Sequence, residues 1–267
     1  MKKILLSTFV AAAFAVANSS YALVASDNAS NYGGTWANAN NGGSGFLAWS
    51  ISNNDGGGNF AGSFIGSSTP GAGDINTSGV SFGLYANPGA AFINADRGFS
   101  SAMSIGDVFS FNLGVNFDNG NKGFNLYSGG AGGAQLFNFN VGGGAQITAG
   151  SGLTLNAGSG LGYNYGGPSA LGITLTYTDA TTLTYSISRS STQGNQGVLF
   201  SGTVTGSFSA PDAFRLYVSG TDAGGAPENN LYANNLSVVP EPSTYALLTL
   251  GALALGGYAA RRRRARK

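Results

Sequence analysis

The chain contains no cysteine and no histidine among its 267 residues. Without cysteine it forms no disulfide, has no thiolate nucleophile and provides no cysteine ligands for zinc. Without histidine it lacks the commonest general base and the commonest transition-metal ligand, so Ser-His-Asp catalysis is excluded. The sequence therefore lacks the side chains that most familiar catalytic arrangements require.

Charged residues are scarce, at 9% of the chain, and they are unevenly distributed. Between Leu23 and Val239 there are four basic and ten acidic residues, which gives this central region a net charge of −6. Basic residues concentrate at the two ends of the chain instead. An acidic centre without a basic stripe predicts that the protein does not bind nucleic acid.

Residues 1–22 have the features of a secretory signal peptide. Lys2 and Lys3 are followed by an apolar stretch, and small residues at Ser20 and Ala22 offer a cleavage site, with Ala15-Val16-Ala17 as a second candidate. Export with cleavage after Ala22 is therefore predicted, and an uncleaved membrane anchor is the alternative.

The C-terminal end has a second apolar run, from Tyr245 to Ala260, and an arginine cluster follows it directly. About 16 helical residues measure roughly 24 Å, and flanking residues with snorkelling side chains extend this towards the roughly 30 Å of a bilayer core. The run predicts a transmembrane helix, with a buried core helix as the alternative. The cluster predicts a stop-transfer signal that stays cytoplasmic, and it consists of Arg261, Arg262, Arg263 and Arg264.

The segment Val239-Pro240-Glu241-Pro242-Ser243 stands just before that run. Together the motif, the apolar run and the arginines closely resemble the PEP-CTERM sorting signal of Gram-negative surface proteins. The resemblance implies that residues 239–267 are read by an exosortase, a membrane-embedded cysteine protease that cuts near the motif. Pro240, Glu241 and Pro242 would then be recognition residues. It also implies an inner-membrane intermediate, a final location at the cell surface or outside the cell, and a link to exopolysaccharide and biofilm.

Residues 23–238 show alternation of apolar and polar positions, which is typical of strands with one face in a core. Forty-five glycines and many Asn, Ser and Thr residues add turn signals. We expect ten to twelve strands in an all-β fold, an antiparallel β-sandwich of the jelly-roll type. The clearest expected strands are 80–85, 109–117, 124–126, 137–141, 171–177, 183–187, 198–205, 214–218 and 231–238, with a hairpin loop at 178–181.

The central region also resembles a domain common among PEP-CTERM proteins. The matching stretches are Asn41-Gly42-Gly43-Ser44-Gly45-Phe46-Leu47-Ala48-Trp49, Gly123-Phe124-Asn125-Leu126-Tyr127 and Tyr232-Ala233-Asn234-Asn235-Leu236. This resemblance implies a concanavalin A-like sandwich, as in lectins and glucanases. It implies no particular activity.

Few residues in the central region are candidates for chemistry. Trp36 and Trp49 are candidate sugar-stacking rings, and burial in the core is the favoured alternative. Asp118-Asn119-Gly120-Asn121 is interpreted as a hairpin turn, with a calcium site as the alternative, since it lacks the spacing of an EF-hand. No other cofactor or metal site is expected. Asp96, Asp107, Asp179 and Asp212 are interpreted as turn or strand-end residues.

Three functions remain open from the sequence. The preferred hypothesis is a non-enzymatic surface or matrix protein that associates with exopolysaccharide and binds carbohydrate. The second is a hydrolase of envelope polysaccharide with aspartates as acid and base, although no strand carries two carboxylates at alternate positions. The third is a self-associating coat protein.

Overall fold

The computed structural model describes residues 24–55, 60–142, 146–164, 167–190 and 194–240. The predicted signal peptide with Ala22, and the sorting signal from Glu241 to Lys267, lie outside the described residues. Within those ranges no helix is long and apolar enough to cross a membrane. The helical structure found there is two short 3-10 turns, Ala29–Tyr32 and Pro227–Asn229.

The described chain is built from antiparallel strands connected by turns. In chain order they are β1 (Ala25–Asp27), β2 (Ser50–Asn54), β3 (Phe60–Gly66), β4 (Ser81–Asn87), β5 (Phe92–Gly98), β6 (Asp107–Val115), β7 (Asn121–Ser128), β8 (Ala134–Asn140), β9 (Ile147–Ala149), β10 (Thr154–Ala157), β11 (Ser169–Asp179), β12 (Thr182–Arg189), β13 (Gly197–Thr205), β14 (Ala213–Ser219) and β15 (Leu231–Pro240).

These strands form two sheets. The nine-stranded sheet has the order β10-β13-β12-β11-β6-β15-β4-β3, and β1 pairs with the second half of β15. The six-stranded sheet has the order β2-β5-β14-β7-β8-β9. All pairings are antiparallel, so the expected all-β class and the two-sheet arrangement are confirmed.

The core lies between the two sheets and is rich in phenylalanine. Phe109 and Phe111 of β6 contact Phe214 of β14 across it, with the ring centroids of Phe109 and Phe214 5.0 Å apart. Each fully buried ring contributes roughly 1.5–3 kcal/mol relative to an exposed one. The apolar members of each alternating strand therefore supply the contact that holds the sheets together.

The long alternating strands lie where the sequence predicts them. The strand expected at 109–117 is β6, and the hairpin expected around 178–181 joins β11 to β12. The count of ten to twelve is too low, because β1, β2, β9 and β10 are too short to show an alternation. Strands β3 and β5 were also missed, and in β5 Arg97 takes a core-facing position that the pattern reserves for an apolar residue.

Candidate functional site

The structure corrects the interpretation of Trp36 and Trp49 as sugar-stacking rings. Their exposed fractions are 2% and 1%, and their ring centroids lie 5.0 Å apart in an edge-to-face contact inside the core. A ring that stacks on a sugar must present a free face, and neither tryptophan does. Both residues serve packing, which was the favoured alternative.

Trp49 helps to hold a buried cation. The guanidinium of Arg97 lies 4.7 Å from the ring centroids of both Phe46 and Trp49. It forms an ion pair with Asp27, a buried pair with no exposed side-chain surface on either partner. The Trp49 indole N–H donates to Tyr32, whose hydroxyl donates to Asp27 at 2.5 Å. Burial and the hydrogen bond to Asp27 raise the pKa of Tyr32. The ion pair of this network joins Asp27 of β1 to Arg97 of β5.

The loop with calcium-like composition binds an ammonium group. The Lys122 side chain is fully buried, and its Nζ donates to Asn119 Oδ1 and to the Asn229 carbonyl, each at 3.1 Å. Burial lowers the pKa of Lys122 to about 8. Among the described residues no group of three or more acidic, histidine or cysteine side chains could hold a metal. Asn119 of this loop is therefore a hydrogen-bond acceptor for the Lys122 ammonium group.

The outward surface of the six-stranded sheet carries a cluster of long polar side chains. Cross-strand partners share a face, and Arg215 of β14 pairs with Asp96 of β5 on one side and Asn125 of β7 on the other. Further along, Asn138 of β8 is the partner of Asn125. We call this surface the polar face and define it by Asp96, Asn125, Tyr127, Asn138, Arg215 and Tyr217.

Hydrogen bonds connect the members of the polar face. Arg215 donates from Nε and Nη2 to the two carboxylate oxygens of Asp96, at 2.6 and 2.9 Å. The Asn138 amide donates at 2.8 Å to both Asn125 Oδ1 and the Tyr217 hydroxyl. Such networks fix the side chains in one arrangement, so a ligand that binds there orders few new groups.

The polar face is recessed although it points away from the core. Tyr127 is only 6% exposed, and Asn125 only 8%. Burial raises the pKa of Tyr217 to about 12 and raises that of Tyr127, and the Tyr217 hydroxyl donates a hydrogen bond to the Phe139 carbonyl.

A cavity of about 480 Å³ adjoins the polar face at Asp96. Asp96, Ser50 and Asp212 supply polar groups, and Leu47, which is 54% exposed, supplies an apolar wall. The cavity has the size of pockets that hold small organic ligands.

The four aspartates interpreted from the sequence as turn or strand-end residues are bonded to neighbouring groups. Asp212 accepts from the backbone N–H groups of Gly129 and Gly130, so its expected role next to a strand start is confirmed. Asp107 begins β6 and accepts from the Ser104 N–H, and Asp179 caps the β11–β12 hairpin. The strand-end interpretation of Asp96 is wrong, because this residue lies inside β5.

The nine-stranded sheet offers a different outward surface. A row of short hydroxyl side chains crosses it, connected through the strand register: Ser201, Ser186, Thr174, Ser110, Ser237 and Ser26. No ring or guanidinium belongs to that row. That row differs from the polar face, whose amides, tyrosine rings and guanidinium are held by hydrogen bonds.

Sequence reasoning missed most of the polar face. A usable signal was present, because β7, β8 and β14 place Asn, Tyr or Arg at their outward positions. The pattern does not say which strands are neighbours, however, and the order β5-β14-β7-β8 is set by tertiary structure alone.

The fold and this surface define a class of protein: a two-sheet, all-β domain that presents a recessed polar face and whose last strand runs directly into a C-terminal motif. The family model described as the PEP-CTERM protein-sorting motif matches residues 238–264. The chain is therefore a PEP-CTERM sorting domain-containing protein. The motif implies export through a C-terminally membrane-anchored intermediate that an exosortase processes.

No curated protein matches the chain. Among solved structures it is similar to the catalytic domain of beta-agarase D from Zobellia galactanivorans, at 10% identity and a TM-score of 0.32. The match covers 73% of this chain and 76% of the agarase domain. Likeness at that level carries no argument about fold family or activity.

Proposed function

We propose that this protein is a non-enzymatic surface or matrix protein that binds polysaccharide on its polar face. Its signal peptide takes it through the membrane, its C-terminal helix anchors it there, and exosortase processing brings it to the cell surface or the extracellular matrix. The observation that carries the proposal is the hydrogen-bonded cluster of amides, tyrosines and an arginine–aspartate pair. Amides and hydroxyls offer both donors and acceptors, which is the chemistry that sugar hydroxyls require.

The charge of the domain favours a neutral polysaccharide over an acidic one. The central region carries a net charge of −6, and its field disfavours the approach of a polyanion. Within the polar face Arg215 is neutralised by Asp96 at 2.6 Å, so it offers no free cation to a uronic acid.

The carboxylates near the cavity support binding without hydrolysis. A glycosidase needs one carboxyl group that donates a proton and a second that acts as nucleophile or base. Both oxygens of Asp96 accept from Arg215, and both oxygens of Asp212 accept from backbone N–H groups. We therefore expect no release of reducing sugar when the protein is incubated with polysaccharides that it binds.

The test compares the unmodified full-length protein with its Asn138→Leu variant, both in detergent, on a glycan array. Leucine has a similar shape but removes the amide that bonds Asn125 and Tyr217. We expect the affinity for the bound glycan to fall about tenfold or more, since buried polar groups lose their partner. Thr174→Val is the matched control, because it also replaces a polar group with an apolar isostere, on the outward surface of the other sheet.

Two results would contradict the proposal. One is unchanged glycan binding by Asn138→Leu. The other is a loss of binding in Phe60→Ser, which alters the most exposed large apolar side chain (68%), on edge strand β3. Equal thermal unfolding midpoints for Asn138→Leu and Thr174→Val would separate a binding effect from a folding effect.

A further inference from the structure

The sorting motif begins inside the folded sheet. The match to the motif starts at Val238, whereas β15 continues to Pro240. On one side Val239 and Pro240 pair with Val108 and Asp107 of β6. On the other side Val238 pairs with Ala25 of β1, and its side chain is fully buried.

Little chain separates this strand from the apolar run that the motif places in the membrane. That run starts at Tyr245, five residues after Pro240. Five extended residues reach at most about 18 Å. The exosortase must therefore work close to the end of the sheet, and no long linker brings the motif to it.

A protease that binds an extended segment needs its backbone groups free for the cleft. Ser237 and Val238 are paired on both sides, to β6 and to β1, and Val239 and Pro240 are paired to β6, so the sheet keeps this segment out of such a cleft. We propose that residues 237–240 must leave the sheet before the exosortase can cleave, an inference that rests on the proposed exosortase processing. The folded domain thus controls access to its own sorting site.

The strand has a structural break at the place where such an opening would end. The register to β6 shifts between Asn234 and Ser237, and Asn235 has a left-handed φ of 55°. Before the break β15 pairs with β4 and β6, and after it with β1 and β6. A bulge of this kind interrupts the ladder, so the second half of β15 detaches without breaking the first half.

The outer residues of this half are weakly held. Val239 is 42% exposed, and Pro240 has no N–H to donate to the ladder. Strand ends with these properties belong to the low-stability part of a fold. Only Val238 brings a fully buried side chain to the segment that opens.

The absence of cysteine makes the opening testable with one engineered disulfide, Ser26→Cys with Ser237→Cys. Ser26 exchanges backbone hydrogen bonds with Ser44, so its contact with Ser237 on the other side is a non-hydrogen-bonded pair. Cα atoms in such a pair lie about 4.5 Å apart, within the range that a disulfide spans. The cross-link forms after export, in an oxidising compartment.

The matched control is Ser186→Cys with Ser201→Cys, which connects β12 to β13 on the same surface of the same sheet. Ser201 also gives its carbonyl to the opposite neighbour, Gly158, so this is again a non-hydrogen-bonded pair. The full-length chain is expressed in cells that have the exosortase, and the mature form is followed by pulse–chase and intact mass. The two single-cysteine variants of the first pair control for the substitutions themselves.

We expect the locked β1–β15 variant to be processed at least about tenfold more slowly than the β12–β13 variant, and a reductant to restore its rate. Equal processing of the two oxidised variants would overturn the proposal. Slow processing that persists after reduction would overturn it too, because the substitutions would then be the cause. If the unmodified chain is not cleaved in these cells, exosortase processing itself fails, which is a separate outcome.

Discussion

Replacement of Arg97 by methionine should destabilise the protein strongly, although its side chain lies on the opposite side of β5 from the polar face. Methionine fills a similar volume between Phe46 and Trp49 but leaves the Asp27 carboxylate buried without its ion-pair partner. Removal of one member of a buried pair costs about 3–5 kcal/mol. The Leu47 carbonyl also loses its donor, Arg97 Nε at 2.9 Å, which keeps the expected loss in the upper half of that range.

The assay is urea unfolding of the full-length protein in detergent, followed by tryptophan fluorescence. Both tryptophans are in the core, so the signal reports on the region that changes. In the double variant with Asp27→Leu most of the lost free energy of unfolding should return, because no charge stays buried. Arg215→Met is the control: its pair with Asp96 is partly exposed (25% and 14% for the two side chains), so about 1 kcal/mol is expected. A loss below about 1 kcal/mol for Arg97→Met would refute the reasoning.

Three further predictions follow from other buried groups. Burial lowers the pKa of Lys122 from 10.5 to about 8 in the fold, so the unfolded chain binds this proton more tightly than the folded chain does. The free energy of unfolding should therefore rise by up to about 1.4 kcal/mol per pH unit from pH 8 to 10. The variant Lys122→Met should flatten that rise in urea titrations. Asn234→Ala should cost about 2–4 kcal/mol in the same assay, because this fully buried amide bonds three backbone groups of distant segments, and a loss under about 1 kcal/mol would contradict the assignment. Calcium chelation should leave the thermal midpoint unchanged, since the Lys122 ammonium group already bonds Asn119 Oδ1 of its loop and the Asn229 carbonyl. A midpoint that falls on chelation and recovers with added calcium would support the calcium alternative instead.

The sequence alone identified the sorting motif and most of the long strands. The motif, like the predicted signal peptide and the predicted stop-transfer cluster, is a linear segment, so the order of residues along the chain carries the information. Alternation in β6, β11 and β12 likewise depends only on neighbouring residues, because successive side chains of a strand point to opposite faces.

Only the tertiary structure decided what the polar residues do. Arg97 and Lys122 resemble surface charges in the sequence, yet each is buried because partners from distant segments surround it. Asn125, Asn138 and Tyr217 lie on three different strands, and strand order brings them together. The same holds for the start of the sorting motif, which β1 and β6 enclose. Contacts between residues far apart in sequence depend on how strands pair, and a local pattern contains no record of that pairing.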